Sequence, residues 1–256
     1  MGVYIDMKEW DAKWKGICCI AVSVILVIGI IVSAVIFTNG LVQIKSTRTK
    51  IMVTGSAKKQ ITSDMIVWSG YFSANSASLQ DAYSILEANR KKVADYLVAK
   101  GLKEEELVFS SISTDPVYML DYNGDYTNEI ESYTLSQTVT ISSAEIDKVA
   151  EVSRSITELL NEGVEFQSYD PQYLYTKLAD IKVEMLAEAT KDATKRAQMM
   201  VENAGSKLGG LKYADMGVMQ ITPLYSNEVS DYGISDTTSL EKEITAVVHC
   251  QFEIKN

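Results

Sequence analysis

The chain has 256 residues, a net charge of −10 and 46% hydrophobic residues. That acidity argues against a nucleic-acid partner, because phosphate contacts need a basic face, and it disfavours an anionic bilayer surface for the same reason. Of three cysteines only Cys250 lies outside the N-terminal apolar run, so the bulk of the chain has no internal disulfide and must stand on a packed core.

From Ile17 to Phe37 there are 21 apolar or small residues and no charge. As a helix they rise roughly 30 Å, the thickness of a hydrocarbon core. A secretory signal would be shorter, about 7–15 apolar residues, and would end at a small-x-small site. Here Phe37 stands where a small residue is wanted, and Cys18 and Cys19 come at the start of the run, where a lipoprotein cysteine would follow it. A buried soluble helix would rarely be apolar on every face. The run reads as an uncleaved transmembrane anchor with ends at Ile17 and Phe37, after a short cytoplasmic tail at 1–16 and before a linker at 38–50.

Lys8, Lys13 and Lys15 precede the span and Lys45, Arg48 and Lys50 follow it, so basic residues do not set its direction. A short tail, one span and a long domain read most naturally as a signal anchor. The expectation is a single-pass protein of the cell membrane with its C-terminal domain outside the cytoplasm. Gly29 and Ser33 form one small-xxx-small step, a spacing common by chance.

Residues 51–256 read as one domain. "IMVTGSAKKQITSDMIVWSGYFSA" (51–74) predicts two strands joined by a turn near Lys58–Gln60. A helix follows, with Ala82, Ile85, Leu86, Asn89, Val93, Tyr96 and Leu97 on its inner stripe. "SLQD" (78–81) caps it and Gly101 stops it. "ELVFSSISTDPVYM" predicts a strand that Pro116 ends or pushes to an edge. "ESYTLSQTVTIS" (131–142) is the clearest strand: Tyr133, Leu135, Val139 and Ile141 face one way, Thr134, Ser136, Thr138 and Thr140 the other.

A second helix runs through Ile146, Val149, Ile156 and Leu160 to Gly163, capped by "SSAE" (142–145). After a short strand, "VEFQSY", Asp170–Pro171 is expected to open a long helix reaching about Ala204. Its stripe is Leu174, Leu178, Ile181, Met185, Ala189, Ala193, Ala197, Met200 and Val201. "LKYADMGVMQI" and "EITAVVHCQFEI" close the chain as strands; in the second, Ile244, Ala246, Val248, Cys250, Phe252 and Ile254 alternate. The fold class expected is α+β: a mainly antiparallel sheet, two medium helices and one long one, behind a single transmembrane helix.

In order and spacing, Gly55, Gly101, Gly163, the Ala193–Arg196–Ala197 cluster, Gly205 and Gly209 resemble the SIMPL domain family of bacterial envelope proteins. The likeness covers roughly residues 50–255. It implies an α+β domain in the periplasm or at the cell surface, without established enzymatic activity. In some members it also implies ring-like oligomers, proposed to be channel-like, and links to stress tolerance and immunogenicity. This chain departs in keeping an anchor and in having loops rich in Tyr, Asp and Ser.

No catalytic, cofactor or metal site is expected. His249, the one histidine, falls on the strand face opposite Cys250 and reads as a partly exposed strand residue. "GSKLGGLK" (205–212) has Leu211 where a phosphate loop needs lysine, and it follows a helix instead of preceding one. Asp121, Asn123 and Asp125 have the one-three-five spacing of a calcium loop. Tyr126 stands where Gly is needed and Ser132 where a bidentate Glu is expected, so a plain hairpin turn is the better reading. "PLYSNEVSDYGISDTTSLEKE" (223–243) reads as a mobile loop or a contact surface displaying Tyr225 and Tyr232, with Tyr118, Tyr122 and Tyr126 in a neighbouring loop. The expected partners are the membrane and further copies of the chain, in a ring or cage with a structural or stress-protective role. The alternative is a monomeric envelope module whose Tyr-rich loops hold a protein or small ligand.

Overall fold

The computed structural model describes Met7–Ser46 and Lys50–Lys255, with side-chain surroundings for residues 23–42 and 50–255. Helix α1 (Met7–Ser46) is continuous over 40 residues, so helix extends past both expected ends of the span and through the expected linker as far as Ser46. Within it Ser23–Val42 is 20 residues long and apolar enough to cross a membrane, with no part buried by protein. Phe37 lies exposed in that stretch. The side chains of Ile17, Cys18, Cys19 and the flanking basic residues at 8, 13, 15, 45 and 48 lie outside those described.

Among the described residues ten strands and three further α-helices follow: β1 (Lys50–Thr62), β2 (Met65–Ser76), α2 (Leu79–Ala99), β3 (Leu107–Phe109), β4 (Ser113–Leu120), β5 (Tyr126–Ser143), α3 (Ile146–Ser155), β6 (Glu165–Ser168), β7 (Gln172–Leu174), α4 (Leu178–Asn203), β8 (Lys207–Met216), β9 (Gln220–Pro223) and β10 (Glu241–Lys255). They form a mixed α+β fold with antiparallel sheets. One sheet has the order β3-β5-β2-β6, with β4 also on β5 and β7 also on β2. The other has the order β1-β10-β8, with β9 also on β10.

The chain divides into two compact units. The larger, Thr54–Ala193 with Asp215–His249, holds the main core. β2 and β5 pair antiparallel from Ile66↔Ser143 to Ser76↔Tyr133, and β6 and β7 take the other edge of β2. Trp68, Phe72, Val139 and Ile141 from this sheet are buried with Leu86, Val93 and Leu97 of α2 and Val149 and Val152 of α3. Phe166 stacks between Trp68 and Phe72 at centroid distances of 6.1 and 6.3 Å. Its ring lies over Gly70, where a Cβ would fall 2.5 Å from Cε1. The smaller unit takes in α1 through Val53, Thr194–Ala214 and Cys250 onward. Within it Cys250, Phe252, Ala197 and Val201 are buried, and Lys212 pairs with Glu253 at 3.1 Å.

Several expectations are corrected. The first two strands are not a hairpin, because β1 joins the β10 sheet and β2 the β5 sheet. Lys58–Gln60 lie inside β1, and the chain crosses between sheets at Ser63 and Asp64. Asp64 fixes that crossing by accepting from Thr176 N (2.7 Å) and Thr176 Oγ1 (2.8 Å), while its own N–H donates to Leu174 O.

The long helix begins at Leu178 and not at Pro171, since Gln172–Leu174 are drawn into the sheet as β7 beside Met65–Val67. Leu174 therefore leaves the helical stripe, and Met200 points outward. In the second helix the chain tightens to a 3-10 turn at Ile156–Glu162, whose three-residue period buries Leu159 and exposes Leu160. Ile85 on α2 is also exposed. Pro116 sits within β4, which pairs on one side only, so it occupies an edge strand.

Candidate functional site

The final strand organises a concave, largely polar-lined surface of the larger unit. Along β10 the even positions point inward: Ile244, Ala246 and Val248 are buried. The odd positions Glu243, Thr245, Val247 and His249 line a cleft of about 470 Å³. Lys58 of β1, Gln220 and Thr222 of β9 and the loop segment Ser226–Asp231 complete its wall. Lys58 Nζ donates to Glu243 Oε1 at 2.5 Å, and His249 Nδ1 lies 3.0 Å from Thr54 Oγ1. Gly217 lets the chain pass close to β10, its N–H donating to Val247 O at 2.9 Å. The cleft is thus lined by hydroxyls, amides, an imidazole, the Lys58–Glu243 pair and the further carboxylates of Glu228 and Asp231. That is a surface suited to hydrogen bonding a small polar group.

The loop over this cleft is pinned to the fold. Ile221 N donates to Ile234 O (2.7 Å) and Asp236 N to Ile221 O (3.0 Å), so 234–236 run alongside β9. Gln220 Nε2 donates to Ser230 O at 2.6 Å. Tyr225, in the left-handed region at φ 64°, and Tyr232, 97% exposed, both project from the loop to solvent.

Beneath the loop lies a group that sequence reading passed over. Lys242 is only 2% exposed and donates to Tyr173 O (2.6 Å) and Asp236 O (2.5 Å). Burial pushes its ammonium below the usual lysine range, opposed by the charge of Asp236. For Asp236 burial acts to raise the carboxyl, but hydrogen bonds from Thr238 and Ser239 and the Lys242 charge prevail and lower it. A signal for Lys242 did exist: the even-numbered alternation of β10, carried back one step from Ile244, points it inward. Gln137 is the same case, sharing the parity of Leu135, Val139 and Ile141, and it is buried with its Nε2 donating to Ser110 O.

The Asp121–Asn123–Asp125 stretch is the turn between β4 and β5. Asp121 Oδ1 accepts from Asn123 N (2.8 Å) and Asp125 N (3.0 Å), and Gly124 takes φ 88°. These bonds lower the Asp121 carboxyl and commit one of its oxygens to the turn. Tyr118, Tyr122 and Tyr126 ride on this hairpin, in the β5 sheet, while Tyr225 and Tyr232 ride on the loop beside β9 and β10. The two tyrosine groups therefore belong to different sheets. Cys250 is a free, buried thiol whose pKa burial raises.

A helix apolar enough to cross a membrane is followed by an α+β domain whose exposed features include a polar cleft and a tyrosine-bearing hairpin. Residues 51–252 match the family described as "SIMPL: Protein of unknown function (DUF541)". The chain belongs to the SIMPL family. No curated protein matches it.

Proposed function

We infer that this chain is a single-pass protein of the cell membrane whose SIMPL domain lies outside the cytoplasm. There it self-assembles into a homo-oligomeric ring or cage with a structural or stress-protective role in the envelope. The observation that carries this reading is the uncovered apolar stretch Ser23–Val42 placed directly ahead of a SIMPL domain. On this reading the domain works by association and not by catalysis. The test is the particle mass of the full-length protein in mild detergent beside that of residues 41–256. A discrete multiple of the chain mass in both supports assembly through the domain. A single-chain mass in both removes it.

A monomeric binding module is the second reading, favoured by the roughly 470 Å³ cleft beneath the loop bearing Tyr225 and Tyr232. It predicts a small polar ligand that raises the melting temperature of the wild type but not of His249→Ala. An equal shift in both proteins counts against the cleft.

A further inference from the structure

Two strand segments of this domain are exposed on both of their faces. In the first, every residue of β4 is exposed, and the opposite stretch Tyr126–Glu131 of β5 is exposed at all but Thr127. This ribbon nevertheless carries Tyr118, Met119, Leu120, Tyr126 and Ile130. A two-stranded ribbon bare on both faces is marginal in water. Here the pairing is also irregular on either side of Tyr118. Among the described residues no strand pairs with the outer edge of β4. Between Ser113 and Ser143 stand Asp115, Asp121, Asp125, Glu129 and Glu131, and no Lys, Arg or His.

The second segment is β8, at the end of the order β1-β10-β8. From Leu211 to Met216 every residue is exposed, with Leu211, Tyr213 and Met216 among them. Its charge leans the other way: Thr194–Met216 holds Lys195, Arg196, Lys207 and Lys212 against Glu202 and Asp215, in a chain of net charge −10, and Lys212 also pairs with Glu253 at 3.1 Å.

We propose that the β4–β5 ribbon of one copy docks on the β8 edge of a second copy. The open backbone of β4 meets that of β8, as in strand addition, and the apolar side chains of both leave water. The five carboxylates set against Lys207 and Lys212 select the register and exclude ribbon-on-ribbon contacts, where like charges would meet. The contact joins two different patches, so it is head-to-tail, and each copy still offers one ribbon and one edge. Contacts of this kind close into rings when the rotation permits. The proposal rests on the self-assembly reading above and names the elements that would perform it.

The test is a charge swap in the full-length protein in neutral detergent, read as particle mass. One variant carries Asp125→Lys, Glu129→Lys and Glu131→Lys, which spares the turn-forming Asp121. The other carries Lys207→Glu and Lys212→Glu. Each alone should fall from the wild-type oligomer to a single chain of 28.3 kDa. Mixed in equal amounts they should regain the wild-type mass, because every contact between unlike variants is again complementary. Two misfolded variants would not rescue each other. An oligomeric wild type whose variants keep its mass, or whose mixture stays monomeric, overturns the docking and leaves self-assembly standing. A wild type of single-chain mass removes self-assembly itself. Binding of that monomer to phosphatidylcholine vesicles through the ribbon would make a bilayer the occupant, and would equally overturn the proposal.

Discussion

Lys242 shows how one residue ties a loop to a core. Its ammonium gives two carbonyls, Tyr173 O and Asp236 O, a donor they would otherwise lack in a buried setting. A buried cation with a depressed pKa costs the fold something throughout the neutral range. That cost is relieved only as pH rises through its lowered folded value toward 10.5, the ordinary lysine value. Replacing it by Met removes the cost but strands both carbonyls and the Asp236 carboxylate, whose Oδ2 has no hydrogen-bond partner. Stranded buried acceptors cost about 1–3 kcal/mol each, so Lys242→Met should destabilise by a net of about 1–3 kcal/mol in urea unfolding. Proteolysis within 226–240 should quicken in the same variant. Full stability with an unchanged cleavage rate would show that the loop is held without Lys242. The same anchoring makes deletion of 226–238 a poor test of the loop as a contact, since it would remove the residues that line β9.

At the scale of elements, two features fix where strands and helices meet. Gly55 on β1 faces α4 so closely that a Cβ would fall 2.5 Å from Ala193 N and 2.6 Å from Ala193 Cβ. Ser56 N donates to Asp192 Oδ2 at 2.9 Å beside it. Gly55→Ala forces the helix away from the strand and should cost about 1–3 kcal/mol by overpacking, seen as a lower denaturation midpoint. An unshifted midpoint would mean that α4 can slide without penalty.

The second feature is the set of carboxylates that cap crossings. For Glu106 a hydrogen bond from Ser143 leads the lowering, joined by the Lys103 N–H. For Asp64 burial opposes it, but the Thr176 bonds prevail. Both folded pKa values lie below the ordinary 4.5 and 3.8, so the unfolded chain binds protons first on acidification. Their stabilisation is present at neutral pH and drains away as pH falls below about 4.5 through the folded values. Melting temperatures should hold from pH 7 to 5 and drop between 4.5 and 3. Glu106→Gln should flatten that slope, and a slope left unchanged would put the acid sensitivity elsewhere.

For the whole molecule the deciding question is on which side of the membrane the domain sits. Asn227 is exposed in the loop over the cleft, and Cys250 is buried. A cysteine placed at Asn227 should react with a membrane-impermeant maleimide in intact cells, with the wild type as background. Labelling only after lysis would put the domain in the cytoplasm and reverse the proposed topology.

Features that depend on neighbours along the chain were legible in the residues alone. The apolar run and most strand and helix faces follow from period, as with the inward positions of β10 and the Ala189–Ala193–Ala197 stripe of α4. Gly101, Gly163 and Gly205 stop their elements because each takes a positive φ that glycine adopts freely. Which strand lies beside which depended instead on contacts distant in the chain. β1 and β2 parted into different sheets because β10 and β5, each fifty or more residues further along, offer them their backbone partners. Gln172–Leu174 became strand and not helix because the edge of β2 was open to them. The pinned loop, buried Lys242 and bare β4–β5 ribbon share that origin: distant segments supply the hydrogen bonds and cover, or leave a strand without them, and no local propensity records it.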